Sequence, residues 1–414
     1  MNPDDRNHND HGRSRRDFLR TAITGAGLTF TGAFALSAAT EDEARKQAES
    51  TPASARVPRK TLGNTGAEIP ILLQGCAMTF DKKYDKILHR GFEEGVDYLD
   101  TALMYADGES HRTIAPFIKQ VTREKLWITS KGPSEGATVE SYTKNLDTCL
   151  QQLETDHLDL YFMHEVDDPK YLDPEYIAMG EGMRKSGKTR FFGFSCHGKQ
   201  MVECMDKAAS VGGIDVIMFR YNFARYGDLA LNKVVDKCRK AGIGLIAMKT
   251  QNSVPGDQKE VVEFQSKNFT LGQAKLKAVW ADERIAAAVS HMDNTTKHAE
   301  NIEAAKSPVQ LSMHEFQQLQ RIATTSAHLS CQGCAHICES RLDAPVKVAD
   351  TLRYLMYHEC YNDSARAQRL YGRLTPEQRR LDGIDFAAAT AACPQGIDIA
   401  SRLKEARRAL EVIA

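Results

Sequence analysis

The sequence predicts a parallel (β/α)8 barrel followed by a small, mostly helical cysteine domain, and three observations lead there. Apolar runs of strand length alternate with helical stretches from residue 57 to about 306. Three of those runs end in polar residues, Asp100, Lys131 and His164, and the cysteines cluster only after the alternation has stopped. Such alternation implies parallel strands joined by crossover helices, and about 250 residues is the usual size of eight such units. With 414 residues, 42% of them apolar and a formal net charge of -1, the chain has length for one large domain and a smaller one. Charges of both signs are mixed along it, so no basic stripe points to nucleic acid as a partner.

Taken in order, residues 1–38 read as an export signal and stand outside the fold. Ser14-Arg15-Arg16-Asp17-Phe18-Leu19-Arg20 leads into an apolar, glycine-rich run from Thr21 to Leu36 and then to Ser37-Ala38-Ala39. This resembles the twin-arginine signal motif, which implies the twin-arginine translocase as a partner and a periplasmic or extracytoplasmic destination. The run is short and rich in small residues for a membrane span, so no stable span is expected after cleavage; the bland alternative is an N-terminal anchor that is never cut. Residues 39–56, rich in Glu, Ala and Ser, read as a linker.

The barrel is expected over residues 57–306. Arg59 to Pro70 carries a turn signal between two short strands, a hairpin placed to cap the barrel floor. Eight strands follow: Ile71 to Gly75, Tyr98 to Asp100, Leu126 to Ser130, Leu158 to Met163, Arg190 to Ser195, Val216 to Phe219, Gly244 to Met248, and Ala286 to Ser290. Helical periodicity fills the gaps, as in Tyr142, Leu146, Cys149, Leu150 and Leu153, which makes Cys149 a core residue.

The C-terminal strand ends of such a barrel converge on one mouth, which brings Asp100, Lys131 and His164 together with Tyr105 on the loop after Asp100. A phenol gives up its proton sluggishly at its ordinary pKa of about 10, and a nearby ammonium makes it easier to give. Lys131 would supply that charge, Asp100 would hold Lys131, and His164 would orient a substrate carbonyl. The segment Asp100-Thr101-Ala102-Leu103-Met104-Tyr105, the pair Ser130-Lys131 and the strand ending in His164 resemble, in order and spacing, the aldo-keto reductase family. That resemblance implies Tyr105 as general acid, completed by Asp100, Lys131 and His164, in an NAD(P)-dependent oxidoreductase acting on a small carbonyl or alcohol.

The resemblance also places NADP(H) across the last third of the barrel, at Ser195, Lys249, Met292, Lys297, Glu300 and Asn301. Chemically, Lys249 and Lys297 suit phosphates, and Glu300 and Asn301 suit an adenine. No glycine-rich dinucleotide fingerprint occurs, in keeping with a family that grips an extended dinucleotide over the barrel mouth. Two positions depart from the family pattern: Cys196 and Met218 stand where many relatives carry Asn and Gln to read the nicotinamide amide. His197 beside them reads as lining of the barrel mouth.

From about residue 307 to 414 the composition turns helical, with Cys331-Gln332-Gly333-Cys334-Ala335-His336-Ile337-Cys338 and a distant Cys393-Pro394. The pattern resembles bacterial ferredoxins, in which the last cysteine of one run serves the other run's cluster. Carried over, Cys331, Cys334, Cys338 and Cys393 would ligate one 4Fe-4S cluster, the second site having been erased at Gly383, Phe386 and Ala389. Four thiolates also suit structural zinc, and an exported chain also has two disulfides open to it. Cys360 is a substitute ligand or a helix cysteine. The expected whole is an exported NADP-dependent reductase with a one-cluster domain and possible traffic with an electron-transfer partner; the alternative is a barrel that binds or senses a ligand without turnover.

Overall fold

The computed structural model describes Lys46 and residues 50–134, 136–198, 200–251, 264–361 and 363–411. The arginine-pair segment and most of the predicted linker lie outside the described residues. Eight strands close into a parallel barrel: β3 (Leu72–Gly75), β4 (Tyr98–Asp100), β5 (Trp127–Pro133), β6 (Leu158–His164), β7 (Thr189–Cys196), β8 (Val216–Arg220), β9 (Gly244–Met248) and β10 (Ala287–Ser290), with β10 pairing back onto β3. Each corresponds to one of the eight expected strands. The clearest difference is that β5 and β6 are longer, so Lys131 lies inside its strand and not just beyond it.

Helices α1 (Lys86–Glu94), α2 (Glu109–Val121), α3 (Val139–Leu153), α4 (Pro174–Lys185), α5 (Met201–Val211), α6 (Leu229–Lys240), α7 (Leu271–Trp280) and α8 (Thr295–Lys306) ring the barrel. Their starts are written locally: the Asp85 carboxylate accepts from the amides of Ile87 and Leu88, and Thr138 and Thr270 each open a capping box with Ser141 and Gln273.

Side chains alternate across each strand, so every second residue enters the barrel. Leu73, Tyr98, Trp127, Leu160, Phe162, Val216, Met218 and Ile246 fill the interior, while Leu158, Tyr161 and Met163 join the layer beneath the helices. The same alternation carries the inward row upward from Tyr98 to Asp100, from Trp127 through Thr129 to Lys131, and from Phe162 to His164. An apolar floor and a polar rim therefore come from one period-two pattern. The floor is plugged by the antiparallel hairpin of β1 (Arg59–Thr61) and β2 (Glu68–Pro70), whose Leu62 and Ile69 enter the interior cluster. Gly63 makes that docking possible: its φ is 52°, and a Cβ there would stand 2.3 Å from the Gly244 nitrogen.

Beyond the barrel, α9 (Met313–Thr325) packs through Phe316, Leu319 and Ile322 against Phe223, Phe269 and Ala274 on the barrel's flank. The remaining helices, α10 (Ala335–Cys338), α11 (Val348–Tyr361), α12 (Ser364–Gly372), α13 (Pro376–Arg379), α14 (Ala387–Ala392) and α15 (Ile399–Leu410), build a separate core from Leu352, Leu355, Tyr371, Phe386, Ile399 and Leu403. No strand occurs among the described residues of this part, so the strand pairing of a ferredoxin is not what supports its cysteines. These helices lie over the barrel mouth. Arg369 reaches Asp107 at 2.8 Å, the Lys249 Nζ stands 5.9 Å from the Tyr357 ring centre, and Arg220 Nη1 donates to the Gln332 carbonyl at 2.7 Å.

Candidate active site at the barrel mouth

Lys131 is 1% exposed, and its ammonium stands among three oxygens, in two hydrogen bonds and one ion pair. Its Nζ lies 2.8 Å from Asp100 Oδ1 and donates to the Thr101 carbonyl at 2.7 Å and to the Tyr105 hydroxyl at 3.2 Å. The His164 ring meets the Tyr105 ring edge-on, centres 5.6 Å apart. Asp100, Tyr105, Lys131 and His164 therefore occupy one site. Burial works against the Lys131 ammonium, but Asp100 and Tyr105 outweigh it and hold the amine above its ordinary value. Burial pushes the His164 imidazole down to about 4, so it is neutral near pH 7, and its Nδ1 has no partner.

Tyr105 corrects one expectation. Lys131 does lower its pKa, but burial raises it more, and the phenol ends above its ordinary value.

The residues expected around the dinucleotide divide into two groups. Lys249, at the end of β9, lines a cavity between the mouth and α11, and the Ser195 hydroxyl supports the wall of that cavity by accepting from the Glu165 amide at 3.0 Å. The others stand on β10 and α8. Met292 is wholly buried against Leu72, Val96 and Ile302, so its side chain faces the layer between sheet and helices. Lys297 is exposed and pairs with Asp293 at 2.9 Å, the Glu300 carbonyl accepts from Gln273, and Asn301 Nδ2 donates to the Ser290 hydroxyl at 3.0 Å. Cys196 points into the layer of helix-facing residues and Met218 into the barrel interior, so neither offers a group to a ligand.

Glu165, Arg220 and Arg353 were not expected, and all three line the same cavity as Lys249 and His197. Two of them carried the signal used for the tetrad: Glu165 directly follows a strand and Arg220 ends one. His197 Nε2 lies 3.1 Å from Glu165 Oε1. Burial, with Lys249 nearby, pushes His197 down to about 3. Arg353 lies on α11, where nothing local in the sequence indicates which surface the helix will cover.

Cys331, Cys334, Cys338 and Cys393 line one small cavity with Val348, Leu352, Ile397 and Ile399. No disulfide joins any of the ten cysteines, all of which are described residues. Among the described residues, no three His, Cys, Asp or Glu side chains are gathered so as to hold a metal ion as they stand. Burial pushes the Cys331 thiol up to about 11, and burial with Cys331 beside it pushes Cys338 up to about 12. Cys360 does not line this cavity; its charge is felt by Lys275 on α7. Phe386 and Ala389, on the run that resembles an erased second site, are buried in the C-terminal core.

Fold and site together define a parallel (β/α)8 barrel with a buried Asp-Lys pair, a tyrosine and a histidine gathered at its mouth. Residues 74–254 match the model of the Aldo/keto reductase family. Among curated proteins, the chain is 28% identical over 157 residues to an aldo-keto reductase of Gibberella moniliformis, spanning 35% of this chain and 46% of that protein. It is 25% identical over 209 residues to the uncharacterized oxidoreductase YrpG of Bacillus subtilis, spanning 45% and 64%. The chain thus spans about half the length of the curated relatives it matches. The crystal structure of the thermostable aldo-keto reductase Tm1743 superposes with a TM-score of 0.53 at 25% identity, over 64% of this chain and 99% of that one.

Proposed function

We propose that the chain is an NAD(P)-dependent oxidoreductase that passes hydride between nicotinamide and a small carbonyl or alcohol, with NADP(H) as the expected dinucleotide. The observation that carries this reading is the Lys131 ammonium held between Asp100 and the Tyr105 hydroxyl beneath the mouth. The dinucleotide, when bound, supplies or accepts the hydride. In the reducing direction His164, neutral at pH 7, hydrogen-bonds the substrate oxygen and orients it. As hydride reaches the carbonyl carbon, negative charge grows on that oxygen, and Tyr105 Oη gives it a proton. The phenolate left behind is stabilised by Lys131 at hydrogen-bond distance, and Asp100 keeps the ammonium in place. Ser195 and Lys249 beside the mouth, and Lys297, Glu300 and Asn301 on α8, are the proposed dinucleotide contacts; Met292, wholly buried behind the sheet, is not among them.

The four thiols are proposed to hold one 4Fe-4S cluster, which would supply single-electron capacity or a structural staple. The four thiols line one shared cavity, which supports a common inorganic ligand, with structural zinc as the alternative. Export by the twin-arginine route is proposed from the N-terminal segment alone. The placement of Cys196 and Met218 favours a second reading, a barrel that binds a ligand without turnover. One experiment separates the two: titration of NADPH into the anaerobically purified protein, followed by an aldehyde panel monitored at the nicotinamide absorbance. Binding and consumption of NADPH support the reductase; absence of both leaves the binding module.

A further inference from the structure

The cavity beside the tetrad has a volume of about 490 Å³ and walls from two parts of the molecule. The barrel contributes Glu165, His197, Arg220 and Lys249; the C-terminal part contributes the Cys331–Gly333 loop and, from α11, Asp350, Arg353 and Tyr354. Four cations line this space; Lys170 is exposed and paired with Asp168, which leaves Arg220, Lys249 and Arg353 as the less exposed ones. Arg220 and Arg353 lie near enough to Lys249 to disfavour its charge, adding to the effect of burial.

The acids around the cavity are already occupied. Asp350 accepts from Arg353 Nη2 at 2.8 Å, Glu165 pairs with His197, Asp167 accepts from the Gln200 amide at 2.7 Å, and Asp168 pairs with Lys170 at 3.1 Å. Among the described residues, Lys249 Nζ is shielded from solvent and has no hydrogen-bond partner, and the same is true of His197 Nδ1. The Lys249 backbone is also held at a φ of 55°, a left-handed conformation costly for a residue with a side chain. Converging cationic side chains, an unpartnered amine and a strained backbone persist together only where a ligand or the surrounding structure compensates for them. An anion would give Lys249 a partner and favour its charged form, with the Arg220 and Arg353 guanidiniums beside it.

We propose that Arg220, Lys249 and Arg353 form a composite oxoanion site, shared by the barrel and the C-terminal helices, that takes a phosphate or carboxylate group of the ligand bound at the mouth. It rests on the reductase reading only for the origin of that group, which is the dinucleotide pyrophosphate or the acidic end of a carbonyl substrate. The site adjoins the reaction centre, because the Glu165 charge reaches both Tyr105 and His164. The C-terminal helices thereby supply a ligand-binding group and do more than cover the barrel.

The test is calorimetric titration of inorganic pyrophosphate and phosphate into the full-length protein without dinucleotide, for wild type, Arg353→Gln and Lys249→Met. Binding by the wild type, weakened about tenfold in each variant, is the expected result. No binding by the wild type, or undiminished binding in folded variants, overturns the proposal. Lys249→Met leaves no buried charge behind and keeps the test open if Arg353→Gln does not fold. A weaker NADPH affinity in the variants assigns the site to the dinucleotide. A raised KM for acidic carbonyl substrates, with neutral ones unchanged, assigns it to the substrate; no change in either overturns the link to the mouth ligand. The pyrophosphate titration requires no turnover, so its failure is distinct from failure of the reductase reading.

Discussion

Arg369 on α12 reaches 2.8 Å to Asp107, two residues beyond Tyr105, so the loop that carries the proposed acid is tied to the C-terminal helices. Ala106 and Asp107 are both in the left-handed region, with φ of 52° and 55°. The ion pair itself is largely exposed, so Arg369→Ala should change stability by only ~0–1 kcal/mol. Ala106→Gly should stabilise by about 0.5–1 kcal/mol, since glycine adopts this backbone without a Cβ clash but loses more chain entropy on folding. Urea midpoints check both, and a destabilised Ala106→Gly would show that the loop is not strained.

Tyr105→Phe should lower kcat for carbonyl reduction by about 100-fold or more, because only the proton donor is lost. NADPH affinity should be unchanged, since the dinucleotide does not rest on that hydroxyl. Lys131→Met is expected to behave differently: it leaves Asp100 buried and unpaired and should destabilise by about 3–5 kcal/mol. Turnover kinetics beside a thermal melt distinguish the two variants, and a Tyr105→Phe enzyme at wild-type speed would reject the proposed acid.

The protein should lose stability below neutral pH earlier than carboxylate titration alone would make it. Burial holds His111 and His164 at about 4 and His197 at about 3, against an ordinary value of 6.5. Depressed histidine values mean that the unfolded chain takes up protons first as pH falls. The stabilising contribution is therefore full above about 6.5 and declines through the window down to about pH 4. Urea midpoints at pH 7 and pH 5 check this, and equal midpoints would count against neutral buried imidazoles.

Metal loading should release protons and strengthen as pH rises, because the thiols of Cys331 and Cys338 sit at about 11 and about 12 before a metal deprotonates them. Cys393→Ser should lower iron content and loosen the helices around Leu352 and Ile399. Full metal content in that variant, measured by elemental analysis, would reject Cys393 as a ligand.

Much of the barrel was legible because a strand buried on both faces must be apolar, and the sequence punctuates those runs with turns. The tetrad was legible because polar residues ending apolar runs can only sit at a rim. The same logic holds for Glu165 and Arg220, which follow or end β6 and β8. Arg353 was beyond it. Leu352 and Leu355 show that α11 has a buried face, but only tertiary packing places the Arg353 face over a barrel mouth made some two hundred residues earlier.

The wall that α11 gives the mouth also sets an order of events in the making of the molecule. A ribosome releases all eight barrel strands before it reaches Val348, so the nascent mouth is an open basin accessible to bulky solutes. Once Arg353 and Tyr354 settle onto it, the basin gains a wall that only the finished chain can supply.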